Sequence, residues 1–141
     1  MSYVPEPTYV ISYLFRKVLI PIDGSSTSLK ALDVGLDFAL RYGSKLTALI
    51  VDDGSEEDVN ALKDKIEKIA GKRGIKINVK IKKPNLRETS TSTAIIEEIQ
   101  EEHYDLIILT ARGKSVNPDL TLGATALSVI VNSNTSVLLI R

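Results

Sequence analysis

The stretch LTARGKSVNPDLTLGATA, residues 109–126, is the part of this 141-residue chain whose residue types and spacing best suit chemistry on an anion. It holds two of the eight glycines, Gly113 and Gly123, with Arg112 and Lys114 flanking the first. A phosphate needs several backbone N–H groups aimed at one point, and glycine allows both the unusual dihedrals and the close approach. Gly123 stands where an amphipathic run begins, so it would open a helix whose unpaired N–H groups and positive dipole end favour negative charge. The competing reading is that both glycines are turn punctuation and helix capping.

Other candidate groups are few. The absence of cysteine excludes thiolate metal sites and thiol catalysis, and a single histidine, His103, excludes a multi-histidine metal site. Phosphoanhydride hydrolysis needs a held metal and a positioned water, and the glycine loop has neither the Lys-Ser/Thr pair of a P-loop nor a base. No catalytic residue and no metal ligand set is assigned, and no enzyme activity beyond a weak ATPase is expected. Asp23 could hold magnesium or cap the following turn, and Asp52 with Asp53 could take a metal or repel phosphate. His103 is expected as a cation at a helix end, and Glu97, Glu98, Glu101 and Glu102 as a solvated helix face.

The elements that must position these groups follow from hydrophobic period. Residues 1–16, with Pro5, Pro7, Tyr3, Tyr9, Tyr13 and Phe15, have no clear period and are taken as an extension, lying on its own domain or on a partner subunit. The domain is expected over residues 17–141. Val18 to Ile20, Leu46 to Val51, Leu106 to Leu109 and Val137 to Ile140 are short apolar runs, the pattern of strands buried on both faces. Between them, Leu29, Leu32, Leu36 and Leu40, closed by Gly43, predict one helix, and Val59, Leu62, Ile66 and Ile69, closed by Gly74, a second. Ile95, Ile96 and Ile99 follow a Thr/Ser cap at residues 89–93, and Leu127, Ile130 and Val131 mark a last helix.

Ile75, Ile77, Val79 and Ile81 alternate with Lys76, Asn78, Lys80 and Lys82, so this strand is placed at a sheet edge with one wet face. Buried strands alternating with helices imply an α/β fold: a five-stranded parallel open sheet, order 3-2-1-4-5, with helices on both faces. The chain then reverses direction between strands 1 and 4. Ligands settle in the crevice at the carboxyl ends of such a pair, where Asp23 and the glycine loop both fall.

Eighteen basic and eighteen acidic side chains cancel, so no overall positive field draws the chain to nucleic acid or anionic membrane. Residues 72–87 hold seven basic and no acidic residues, yet no aromatics interleave with them. No apolar run is long enough for a membrane helix, and the charges after Val10 to Phe15 are on the wrong side for a signal peptide. A cytoplasmic protein is expected.

From Lys17 to Arg141 the chain resembles the universal stress protein family. KVLIPIDGSSTSLKALDVGLDFALRYGSKLTALIV is similar to its opening strand, turn and first helix, and DLIILTARGKS with LGATALSVIVNSNTSVLLIR to its closing half. Nucleotide-binding members carry Gly-x2-Gly-x9-Gly-Ser/Thr in this loop, positions that are Thr110, Gly113, Gly123 and Ala124 here. The first glycine and the final hydroxyl are absent.

The resemblance implies an adenine and ribose site at Asp23 and Val51, with Leu109 and Thr110 beside the ribose. It implies that Gly113, Gly123, Ala124 and Thr125 surround the phosphates of ATP, bound with or without Mg2+. It also implies a homodimer pairing the last strands, Ser136 to Ile140, and a regulatory role in stress response. Losing one hydrogen bond to a charged group costs roughly 1.5 to 3 kcal/mol, about ten- to a hundredfold in affinity. The alternative is therefore a dimeric interaction module of the same fold that no longer binds nucleotide.

Overall fold

The computed structural model describes residues 15–52, 54, 58–83, 91–111 and 122–141. In chain order the elements are β1 (Lys17–Pro21), α1 (Ser26–Tyr42), β2 (Lys45–Val51), α2 (Val59–Lys72), β3 (Asn78–Lys82), α3 (Thr91–Glu101), β4 (Leu106–Thr110), α4 (Ala124–Asn132) and β5 (Ser136–Ile140). The five strands form one parallel sheet in the order β3-β2-β1-β4-β5, as the sequence pattern predicts.

Successive strand residues face opposite sides of a sheet, so each apolar run feeds two cores. Val18 and Ile20 of β1 join Leu32, Leu36 and Ile66 of α1 and α2 on one face. Leu19, Leu49, Ile107 and Leu109 join Ile95 of α3 and Val129 of α4 on the other. The α1 stripe is narrower than its leucines suggest. Four residues advance a helix by a turn plus about 40°, so the line from Leu32 through Leu36 has rotated off the sheet by Leu40, which is 55% exposed.

Helix α1 begins at Ser25, whose side chain accepts the Ser28 N–H, and stops at Gly43, whose φ of 69° suits glycine. It lies close on β1 at Gly35, where an added Cβ would run into Ile20 Cδ1. Asp58 caps α2 by accepting from the Asn60 and Ala61 N–H groups. Phe15 packs on the domain's own core and meets Phe38 edge to face at 5.5 Å between centroids. Tyr3, Tyr9 and Tyr13 lie outside the described residues.

Candidate functional site

The hydrogen-bond ladder bears on the crevice expected between β1 and β4. β1 pairs β2 at five positions and β4 pairs β5 at five, but β1 and β4 register only at Val18↔Leu106 and Leu19↔Ile107. Main-chain groups of successive residues in a parallel strand address alternate neighbours. The Arg16 carbonyl and the Ile22 N–H bond to β2 residues, Lys45 and Leu49, whereas the Lys17 carbonyl bonds to Asp105 on the β4 side. Pro21 therefore falls on the β4 side, and proline has no N–H to give.

Beyond that point the halves stay with their outer partners. Ile22 donates to the Leu49 carbonyl at 2.8 Å, and Ala111 donates to the Ile140 carbonyl at 2.8 Å. The β1–β4 ladder thus ends at Leu19↔Ile107, toward the carboxyl ends where ligands enter sheets of this kind. Sequence reasoning passed over Pro21, although a proline closing the Val18 to Ile20 run was the available signal.

Asp23 stands at the end of β1, half-buried, and its Oδ1 accepts the Ser25 N–H at 2.9 Å across Gly24 (φ 85°). One carboxylate oxygen thus holds the turn into α1. Val51 ends β2, partly buried against the second core. Leu109 is buried in that core, so it can offer a ligand only main chain, while Thr110, the last residue of β4, is partly exposed.

Gly123 is the N-cap of α4 with φ −74° and ψ 162°, an extended conformation open to any residue, and no side chain caps it. Its own N–H donates to the Ala111 carbonyl, which draws the helix start onto the end of β4 and uses that amide within the fold. The first intrahelical bond is Leu127 N–H to the Gly123 carbonyl at 3.0 Å. The amides of Ala124, Thr125 and Ala126 therefore precede the helical ladder, the usual donors of a helix N-terminus. Gly113 lies outside the described residues, as does Asp53. Asp52 turns inward on its own chain, its Oδ1 accepting the Gly54 N–H at 3.3 Å. Among the described residues, no three acidic or histidine side chains converge as a metal site.

A second polar constellation lies under α3, where the solvated-face expectation fails for Glu98, while Glu97 and Glu101 are exposed. Glu98 is 1% exposed. Its Oε2 accepts the Tyr104 hydroxyl at 2.6 Å and the Lys80 ammonium at 2.9 Å, and Lys82 approaches Oε1 at 3.6 Å. Lys80 also meets Glu102, Lys82 meets Glu101, and Lys17 meets Glu102 at 3.1 Å while lying 5.4 Å from the Tyr104 ring centre. The wet face of β3 is partly covered, because Lys80 and Lys82 fold onto carboxylates of and beside the helix above, while Asn78 stays exposed.

Burial is the largest influence on the Glu98 carboxyl and pushes its pKa up, but the Tyr104 hydroxyl and the two lysines together outweigh it and hold the pKa below the ordinary range. The Glu98 hydrogen bond raises the Lys80 pKa, and Lys17 lowers that of Glu102. Burial first, then the bond to Glu98, pushes the Tyr104 phenol well above its usual value. His103, near the end of α3, is exposed and sits 3.0 Å from Asp105 Oδ1.

Residues 14–141 match the universal stress protein family. A universal stress protein of Methanocaldococcus jannaschii is 29% identical over 91% of this chain and 83% of its own length. A universal stress protein solved in complex with cAMP superposes with a TM-score of 0.73 at 23% identity, covering 90% of this chain and 97% of that one. A universal stress protein from Archaeoglobus fulgidus, solved in complex with dAMP, gives 0.65 at 16% identity, covering 91% and 99%. No described helix is long and apolar enough to cross a membrane. With this sheet order and a family match over nearly the whole sequence, this chain belongs to the universal stress protein family.

Proposed function

We propose that the chain is an adenine-nucleotide-binding regulatory module of the stress response, cytoplasmic and homodimeric, whose ligand enters between the carboxyl ends of β1 and β4. The end of the β1–β4 ladder before Pro21, with the α4 start drawn onto Ala111, is the observation that supports this most. In this reading Asp23 takes the ribose through the oxygen not engaged by Ser25. Val51, with the main chain of Leu109 and Thr110, borders the nucleoside. The amides of Ala124 and Thr125 receive phosphate, with Gly113 and Gly123 shaping the loop and ATP, with or without Mg2+, as the ligand. Relatives of the same fold solved with cAMP and dAMP support an adenine ligand. Residues 1–16 are kept as an N-terminal extension whose last residues, Phe15 and Arg16, join the domain.

Calorimetric titration with AMP, cAMP and ATP–Mg2+ tests the reading. At least one should bind more tightly than about 1 mM, near −4 kcal/mol, and Asp23→Ala should weaken it roughly tenfold. Absence of heat for all three at millimolar concentrations overturns it.

One observation favours the second reading, a dimeric interaction module without nucleotide. The Gly123 amide is already spent on Ala111, and Ala124 brings no hydroxyl. Nucleotide released from the purified, denatured protein would count against that alternative.

A further inference from the structure

Edge strand β3 has a neighbour on one side only, so its last residues keep their place through the β2 ladder and through what their side chains hold. Lys82 is the last of them. It pairs Val51 in register, its carbonyl accepts the Asp52 N–H at 2.7 Å, and its ammonium reaches Glu101 Oε2 at 3.2 Å and Glu98 Oε1 at 3.6 Å. Glu98 is itself fixed by Tyr104 and Lys80. One side chain thus joins a buried carboxylate of α3 to the backbone where β2 ends.

We infer that Lys82, held by Glu98 and Glu101, is a positioning residue that fixes the main chain of Val51 and Asp52 for the base of a bound nucleotide. This deepens the nucleotide reading above and rests on it. Lys82 acts through the Asp52 N–H bond and not by touching the ligand. Once its ammonium is released, the end of the edge ladder opens more often, and apparent affinity falls by the fraction of molecules that remain closed.

The test uses the full chain and two substitutions, Lys82→Met, which keeps the aliphatic stem, and Lys82→Arg, which keeps the charge and reach. Amide hydrogen exchange at Asp52 is followed by NMR without ligand, with Leu19 and Ile107 of the central strands as references. Lys82→Met should speed exchange at Asp52 at least about tenfold and leave the references unchanged. AMP binding should weaken about threefold, as expected if the closed fraction falls to a third. Lys82→Arg should restore both. Unchanged exchange at Asp52 overturns the inference, as does a rise shared by Leu19 and Ile107, which marks general loss of stability. A local rise with AMP affinity unaltered also overturns it, since the tie then does not serve the site. If AMP fails to bind the unsubstituted chain, the nucleotide reading and the effect on affinity fall together, while exchange at Asp52 still decides whether the tie exists.

Discussion

Strands β3 and β5 both end the sheet, yet their side chains meet opposite surroundings. On β3, Lys80 and Lys82 fold onto Glu98 and Glu101 of α3 and Glu102 just beyond it. On β5, Val137, Leu138, Leu139 and Ile140 are apolar and only partly buried, and nearby α4 leaves Leu127 50% and Val131 70% exposed. Because the Ile140 carbonyl accepts from Ala111, alternation turns the N–H groups of Val137 and Leu139 toward the open edge. A lysine-bearing edge is usually read as a solvated deterrent to pairing. Here a helix rich in carboxylates turns the same lysines into ties; both edges keep outward N–H groups, and β5 is the one whose own side chains are all apolar from Val137 to Ile140.

The sharpest way to break this contrast is to remove the carboxylate at its centre. Glu98→Ala leaves two lysines and a phenol facing an empty, buried site, and should cost about 3 kcal/mol of stability in chemical denaturation. Both lysines reach water, which keeps the loss toward the lower end for buried pairs. Glu98→Gln should cost less, since its amide still accepts from Tyr104. A loss below about 1 kcal/mol for the alanine variant would mean that β3 is held by its ladder alone.

The other edge is tested through its backbone. Val137→Pro deletes an outward N–H and leaves the bonds to β4 in place, a position where sheets tolerate proline. If β5 pairs with a second copy, sedimentation should show self-association weakened at least tenfold, about 1.4 kcal/mol, with the monomer still folded. An unchanged association constant would move the interface elsewhere.

A change of pH should act on one edge and not on the other. The Glu98 and Glu102 carboxyls titrate below their ordinary range when folded. The stability they contribute is therefore present above the unfolded value and is lost as pH falls through the folded one. The Lys80 pKa is raised, so its contribution is full below the ordinary lysine value and is lost as pH climbs through the raised one. Denaturation midpoints should stay flat from about pH 5 to 10 in this respect and fall on the acid side. The acid loss should be smaller than that of Glu98→Ala, because a protonated Glu98 still meets Tyr104. Association through β5, which carries no titratable group within Ser136–Ile140, should not follow that curve.

Much of the fold was legible because four of the strands are short apolar runs, β3 alternates, and α1 and α2 open on capping side chains, so local pattern and tertiary burial agree. Leu40 was misjudged because a leucine every fourth residue looks like a stripe in text while it winds off the sheet in space. Glu98 was hidden for a related reason: with Glu97, Glu101 and Glu102 it reads as one polar face, and only its spacing from Ala94 and Ile95 places it on the buried side. At the crevice, Asp23, Thr110 and Gly123 were brought to strand and helix ends by topology that the sequence does specify. The direction of the Gly123 amide was not legible, because its acceptor, Ala111, is a tertiary neighbour across the loop.

The smallest expected effect tests whether burial, and not charge count, makes the β3 edge what it is. Glu101 holds Lys82 at 3.2 Å, closer than Glu98 does, but its side chain is 65% exposed. Water screens such a pair and both side chains lose rotamer freedom in forming it, so Glu101→Gln should cost no more than about 0.5 kcal/mol, and less still in 1 M salt. Glu98, with its carboxylate closed in by Tyr104, Lys80 and Lys82, should keep most of its effect at that ionic strength. Measured side by side in low and high salt, the two glutamates should differ severalfold in low salt and further apart in high. Equal losses that shrink together would mean that the lysines of β3 respond to the field of the whole helix, and the edge would then be an ordinary charged surface.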